Sequence, residues 1–304
     1  MLVTLLQMFS LIGAGLAWAR FNPAGDDAGR IRKVITDLVY YLFLPALVLK
    51  VLWLAPLGMN SLRIAIAAAV GVLAILGLAV LSCRLCGAER KITGAVLLAA
   101  AFPNATYLGY PLLISTFGDW AGAVAIQYDL FACTPLLLTL GILIAARFGD
   151  TGERPHPLGL LLRVPPLWAA AAALGLNGLG MTPPEWLLGI LGMMGSAVVP
   201  LMLIALGLAL VRGLGELRHA VHILPVLLLK LGIQPLLVLG TATALGLSGE
   251  LRTAVVLEGA MPSMVLGVVL CDRYGLDTRI YAAAVTLTTL LAMLTLPFWY
   301  QWTL

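Results

Sequence analysis

Pro103 and Pro262 each stand inside a membrane-length apolar stretch, 159 residues apart in a chain of 304. Around them the chain reads Ala-Phe-Pro103-Asn104-Ala-Thr106-Tyr107-Leu-Gly109-Tyr-Pro111 and Glu258-Gly-Ala-Met-Pro262-Ser263-Met264. Proline lacks a backbone donor and its ring collides with the preceding turn. A helix is therefore expected to break at both places, with Pro103, Gly109, Pro111 and Pro262 marking the breaks. At membrane depth a broken helix persists only where protein or a wet cavity satisfies its freed groups. Each break creates a half-helix N-terminus with unpaired N–H groups and about half a positive charge. Two such ends facing one cavity favour a carboxylate or another anion. Asn104, Thr106 and Ser263 stand where they would cap the new ends or donate to a ligand, with Tyr107 and Met264 beside them as further substrate contacts. The freed carbonyls around Ala101 and Ala260 are natural cation ligands.

Three ionisable residues share this depth. Asp129 lies nine residues into the fifth apolar stretch, about 13 Å deep at a rise of about 1.5 Å per residue. Lys230 lies near the middle of the eighth, and Glu258 one turn before Pro262. Each costs a few kcal/mol facing lipid, so each should face a partner or a wet cavity. A salt bridge is the plain expectation for Lys230, and its depth matches Asp129 better than Glu258. Glu258 is the better coupling residue, because beside a break it can accept a proton or ligate sodium. No cofactor beyond such an ion is expected. Asp37 reads as a helix-dipole partner, and Lys50 as a side chain snorkelling outward. Cys83-x-x-Cys86, with Cys133 and Cys271, suggests helix packing and no disulfide framework. His219-x-x-His222 is too sparse for a metal.

The elements that position these residues follow from composition. The chain is 62% hydrophobic and 11% charged, against roughly 25% charged for a soluble domain. Ten apolar stretches, roughly 2–19, 34–54, 62–82, 91–117, 120–146, 160–180, 185–211, 221–246, 251–272 and 278–302, leave no room for a soluble domain. With both termini outside, fourteen Lys and Arg fall on inner loops and two, Arg63 and Arg252, on the outer side. This positive-inside bias sets the orientation in a cytoplasmic membrane. The net charge of +4 is then a topology signal and implies no nucleic-acid partner; the partner is the bilayer. Ala17-Trp18-Ala19 mimics a signal-peptidase site, but the basic residues follow the apolar run instead of preceding it.

The stretches divide five and five. Pro45 and Pro200 are 155 residues apart, close to the 159 between Pro103 and Pro262, and Gly118-Asp119 parallels Gly275-Leu-Asp277. An odd number of spans per repeat inverts the second copy, as in many secondary transporters. The expected fold is therefore all-α and integral to the membrane. It has ten transmembrane helices in two inverted repeats, 1–148 and 149–304, with broken helices 4 and 9 crossing. The charged stretch around Arg154-Pro155-His156-Pro157 would link them.

Leu-Pro45-Ala-Leu, Asn104-x-x-x-x-Gly109-x-Pro111, Ala-Met-Pro262-Ser263 and Arg273-Tyr-Gly-Leu-Asp277 followed by Thr286-Leu-Thr288-Thr289 and Leu296-Pro297 together resemble the auxin efflux carrier family in its bacterial form. The likeness covers essentially the whole chain. It implies a scaffold of spans 1, 2, 6 and 7 and a mobile transport unit of spans 3–5 and 8–10, with a homodimer through the scaffold. It also implies small organic anions, such as malate or malonate, as substrates. Plant carriers place an asparagine near the ninth-span break, where this chain has Ser263-Met264-Val265. Sodium-coupled bile-acid symporters of the wider superfamily carry an acidic residue before that break, which Glu258 resembles.

The expected function is a secondary transporter of small organic anions by elevator-like alternation. A sodium-coupled symporter of a larger amphipathic anion, and a non-transporting membrane sensor, are the alternatives. A Walker A loop, His-Glu-x-x-His and Gly-x-Ser-x-Gly are all absent, and no Gly-x-Gly-Asp follows Tyr128-Asp129. This argues against an ATPase or an intramembrane enzyme.

Overall fold

Apolar runs this long leave the backbone no water to bond, so the chain satisfies itself by helix formation. The computed structural model describes residues 2–23, 25–152, 157–210 and 220–304. Arg154, Pro155 and His156 of the linking stretch, His219 of the His-x-x-His pair, and Arg212 and Arg218, two of the fourteen inner-loop basic residues, lie outside the described residues. Helices α1 (Leu2–Phe21), α2 (Ala28–Leu38), α3 (Leu44–Leu54) and α4 (Met59–Leu85) lead into α5 (Arg90–Ala101) and α6 (Tyr110–Phe117). The first half closes with α7 (Trp120–Tyr128), α8 (Thr134–Leu136) and α9 (Ile142–Phe148). Then come α10 (Pro157–Leu161), α11 (Pro165–Gly178), α12 (Glu185–Leu210), α13 (Ala220–Leu228), α14 (Gln234–Ala244), α15 (Gly249–Gly259), α16 (Gly267–Tyr274) and α17 (Thr278–Thr303).

Seven helical stretches among the described residues are long and apolar enough to cross a membrane: Val3–Phe21, Ala28–Leu54, Met59–Leu85, Trp120–Phe148, Glu185–Leu210, His222–Ala244 and Thr278–Thr303. The other three apolar stretches read from the sequence contain shorter helices. One holds α11, of 14 residues, and two are interrupted, α5 from α6 and α15 from α16.

Not every proline breaks its helix. Widened π turns at Val39–Phe43, Ala105–Gly109, Asp129–Cys133 and Leu229–Ile233 each end two residues before a proline, at Pro45, Pro111, Pro135 and Pro235. In each, the residue preceding the proline donates its N–H to the carbonyl five residues back. The proline has no N–H to give and its ring crowds the turn behind it; one extra residue in that turn absorbs the misfit. Gly109 and Pro111 are accordingly not breaks, and the chain runs helically from Ala105 to Phe117. Pro200 is likewise carried inside the continuous α12.

Packing falls into two groups. Helix α12 lies against α1, α2 and α3, and α3 against α11. Helices α4, α5, α14, α15 and α17 pack among themselves, with α6 and α7 on α15. At one end of the second group, Arg90 donates to the Arg147 carbonyl, Asp150 N–H to the Tyr274 carbonyl, and Lys91 pairs with Asp150. With the Asp277 N–H donating to the Lys91 carbonyl, these bonds tie the starts of α5 and α17 to the ends of α9 and α16.

Candidate functional site

Helices α5 and α15 stop where the sequence predicts, and the two extended segments that follow meet each other. Pro103 and Ser263 form an antiparallel bridge. The Asn104 N–H donates to the Pro262 carbonyl at 2.8 Å, and the Met264 N–H to the Phe102 carbonyl at 3.0 Å. Neither proline needs to donate here, so two helix interruptions that would each leave orphaned groups satisfy one another.

This reciprocal pairing frees the side chains for other work. Asn104 stands at the N-cap position after the first break, but neither half-helix has a side-chain capping bond at its N-cap, the first of the two roles that the sequence offers Asn104, Thr106 and Ser263. The Ser263 hydroxyl donates to the Ala99 carbonyl at 2.7 Å, and its N–H to Thr288 Oγ1 at 3.1 Å. The Met264 carbonyl accepts from the Tyr281 hydroxyl at 2.7 Å. Thr106 Oγ1 donates to Asp129, whose other carboxylate oxygen accepts from Thr134 at 2.9 Å.

Asn104 is different. The residue is 2% exposed, and its amide nitrogen has no hydrogen-bond partner among the described residues. It borders a chamber of about 600 Å³ that runs between α2, α12 and α16 to Arg30, Arg32 and Lys33. Tyr107, also buried with an unpartnered hydroxyl, borders the same chamber. Both residues also border a small cavity of about 30 Å³ together with Thr106, Asp129, Met264 and Val265. The first residues of both post-break segments, 105–107 and 264–266, reach this cavity. A third cavity, of about 410 Å³, lies between α3, α7 and α12, with Lys50, Asp119 and Tyr110 on its wall. Tyr107 thus borders one vestibule, and Tyr110, a turn later, borders the other.

The ionisable residues are arranged otherwise than expected. Lys230 does not bridge to Asp129: its Nζ donates to Gln234 Oε1 at 2.5 Å, and Gln234 Nε2 donates to the Ala101 carbonyl at 3.0 Å. That carbonyl, expected as a cation ligand, is instead used by a side-chain amide one turn from the lysine. Glu258 is fully buried with neither carboxyl oxygen hydrogen-bonded, and it packs so closely on Gly109 that a Cβ there would strike it. It borders neither cavity that Asn104 borders. Asp37 pairs with Lys33 at 2.5 Å. The four cysteines are free.

Sequence reasoning missed Thr134, Gln234, Tyr281 and Thr288. Lys230-x-x-x-Gln234 carried a readable signal, because i and i+4 share a helix face. Asp129 and Thr134, five apart, carried none unless the π turn before Pro135 was foreseen.

Comparison with known proteins agrees with this membrane-crossing, enzyme-motif-free architecture. A family model described as "Membrane transport protein" matches residues 1–155 and 158–300. An uncharacterized transporter of Methanothermobacter thermautotrophicus is 30% identical over 301 residues, covering 97% of this chain and 96% of the relative. Another uncharacterized transporter, from Methanocaldococcus jannaschii, is 27% identical over 210 residues, 68% of this chain and 67% of the relative. The chain belongs to the membrane transport protein family, that of the auxin efflux carriers, and is a multi-pass transport protein, not an enzyme.

Proposed function

We propose that this protein is a secondary transporter of small organic anions, which bind at the crossing of the two broken helices. The observation that carries the reading is Asn104, which borders a large chamber where two half-helices begin and whose amide nitrogen is buried without a partner among the described residues. A donor that lacks a partner costs about 1–3 kcal/mol when buried, and a ligand carboxylate would supply one. Amides and helix starts hold a carboxylate without a full countercharge. Tyr107 would add a hydroxyl, and Met264 would shape the wall. Ser263 acts as the tie between the two helices.

The architecture we propose around this site is ten spans in two inverted five-helix repeats, 1–148 and 149–304. Helices α1, α2, α3, α11 and α12 would form the scaffold, and the remaining spans a unit that slides as an elevator. The two packing groups and the ties among the ends of α5, α9, α16 and α17 support that division. Arg30, Arg32 and Lys33 would mark the cytoplasmic mouth, with both termini on the outer side of the cytoplasmic membrane. A homodimer would form through the scaffold.

The chamber's size favours a second reading. About 600 Å³ walled by Met202, Leu203 and Leu206 is within the range that houses drug-sized ligands, so the substrate class extends to larger amphipathic anions. Flux of a radiolabelled carboxylate panel, from malonate to amphipathic acids, into proteoliposomes tests both readings. Asn104→Ala is expected to lower the flux of the transported acid at least tenfold, in line with loss of a charge-assisted bond. Flux that survives Asn104→Ala and Pro262→Ala unchanged would overturn the site. No flux for any carboxylate would favour a sensor.

A further inference from the structure

The small cavity beside Asn104 has a chemistry of its own. Its volume of about 30 Å³ suits one or two water-sized occupants and is far smaller than the chamber of about 600 Å³ beside it. Its polar lining residues are Asp129, Thr106, Thr134, Tyr107, Tyr40 and Asn104. Each threonine gives its one proton to a different oxygen of Asp129, which leaves the hydroxyl lone pairs free to accept. The Tyr107 hydroxyl, on a residue 6% exposed, has no partner among the described residues. Among the described residues no Lys or Arg lines this cavity, and none forms an ion pair with Asp129.

We propose that Asp129, Thr106, Thr134 and Tyr107 form a binding site for one dehydrated monovalent metal cation of sodium's class, adjacent to the anion chamber. Hard oxygen donors select alkali and alkaline-earth ions over soft metals. The charge count decides between those two classes. Divalent cations gather several carboxylates, whereas this cavity has one, and no group of three or more His, Cys, Asp or Glu occurs among the described residues. One negative charge plus neutral hydroxyls matches one positive charge. The π turn that starts at Asp129 makes the arrangement possible, because it brings Thr134 back onto the same carboxylate.

The location gives the cation a role. Asn104 borders both this cavity and the anion chamber, so an anion bound there would lie beside a buried carboxylate. With the cation in place that carboxylate is neutralised; without it, the two negative charges repel in a low dielectric. Binding of the cation stands on the cavity alone, while its coupling to transport rests on the function proposed above. The site also differs from the expectation of sodium near Glu258, whose carboxyl borders neither cavity.

The test needs no organic anion. Thermal unfolding of the purified full chain in detergent is followed as sodium chloride replaces choline chloride at constant ionic strength. A ligand that binds only the native state raises Tm by mass action, here by about 2–4 °C per kcal/mol of linkage. The expected result is a saturable rise that disappears in Asp129→Asn and persists in Glu258→Gln. If Asp129→Asn does not fold, Thr134→Val and Tyr107→Phe serve, each expected to raise the half-saturating sodium concentration at least tenfold. A rise that only potassium produces still supports the site. Equal Tm in all salts, or a sodium effect lost in Glu258→Gln but kept in Asp129→Asn, overturns the proposal. An absent sodium effect leaves the anion-flux test standing, and absent flux leaves the cation site standing.

Discussion

Asn104 and Ser263 sit on facing segments of one crossing, yet their side chains carry different loads. The Ser263 hydroxyl is spent on the Ala99 carbonyl, whereas the Asn104 amide nitrogen has no partner among the described residues. Ser263→Ala is therefore expected to lower stability by about 0.5–1.5 kcal/mol, the net worth of one neutral hydrogen bond, and to leave the KM for the transported acid unchanged. Asn104→Ala should do the reverse, raising KM with little change in Tm. Paired unfolding and flux measurements check this, and a KM defect in Ser263→Ala would return that residue to the binding surface. The contrast also marks how far residue types can be read. Proline spacing located the crossing, because a missing N–H is a property of the residue itself. Which polar side chain would remain unpartnered was illegible, because it depends on the reciprocal 102–104 and 262–264 bonds between segments far apart in the chain.

At the scale of elements, helix contacts without side chains set the tolerances. In α1 and α12, a Cβ at Gly207 would overlap the Ile12 carbonyl and the Gly15 Cα, and a Cβ at Gly15 would overlap the Ile204 carbonyl. Backbone cannot rotate away as a side chain does, and small residues are how helices approach closely in lipid. Gly207→Ala should therefore cost about 1–3 kcal/mol by overpacking, whereas Gly13→Ala, with nothing within 4 Å, should be neutral or slightly stabilising. Thermal unfolding of the two variants separates them; equal Tm would mean the helices are not that close. The tie at the ends of α5 and α9 is of another kind. Hydrogen bonding to Lys91, with its charge, holds the exposed Asp150 carboxyl below its usual value of 3.8. A lowered carboxyl contributes stability above its unfolded pKa and loses it as pH falls through the folded one. The Tm difference between the native chain and Asp150→Asn should be small at neutral pH, because the pair is solvated. It should begin to shrink as pH falls below about 4 and vanish once pH has passed below the lowered value of the folded carboxyl. A difference that grows on acidification would reverse the assignment. The sequence announced these helices by composition but not their widened turns, since a π turn arises from a conflict between a proline and the helix it must stay in.

Across the whole molecule, the two vestibules make alternation testable without knowing the geometry of the other state. The chamber that reaches Asn104 opens toward Arg30 and Lys33, with Val269 of α16 on its wall. The cavity that stops at Tyr110 has Ser196 of α12 on its wall. If the second packing group slides past the first, Asn104 must leave one vestibule as it enters the other, so their exposures are reciprocal. Single cysteines at Val269 and Ser196 report this, in a background where the exposed Cys86 is replaced by serine and the three buried cysteines are kept. In vesicles, a membrane-impermeant maleimide should reach Val269→Cys only from the Arg30 side and Ser196→Cys only from the other. A transported acid that draws the protein toward the second state should slow labelling at Val269→Cys and speed it at Ser196→Cys, by the same factor if two states account for transport. Sodium should produce no such reciprocity alone in Asp129→Asn. Labelling rates that rise together would describe a channel-like opening, and rates that do not respond to any transported acid would leave the two cavities as static features of the fold.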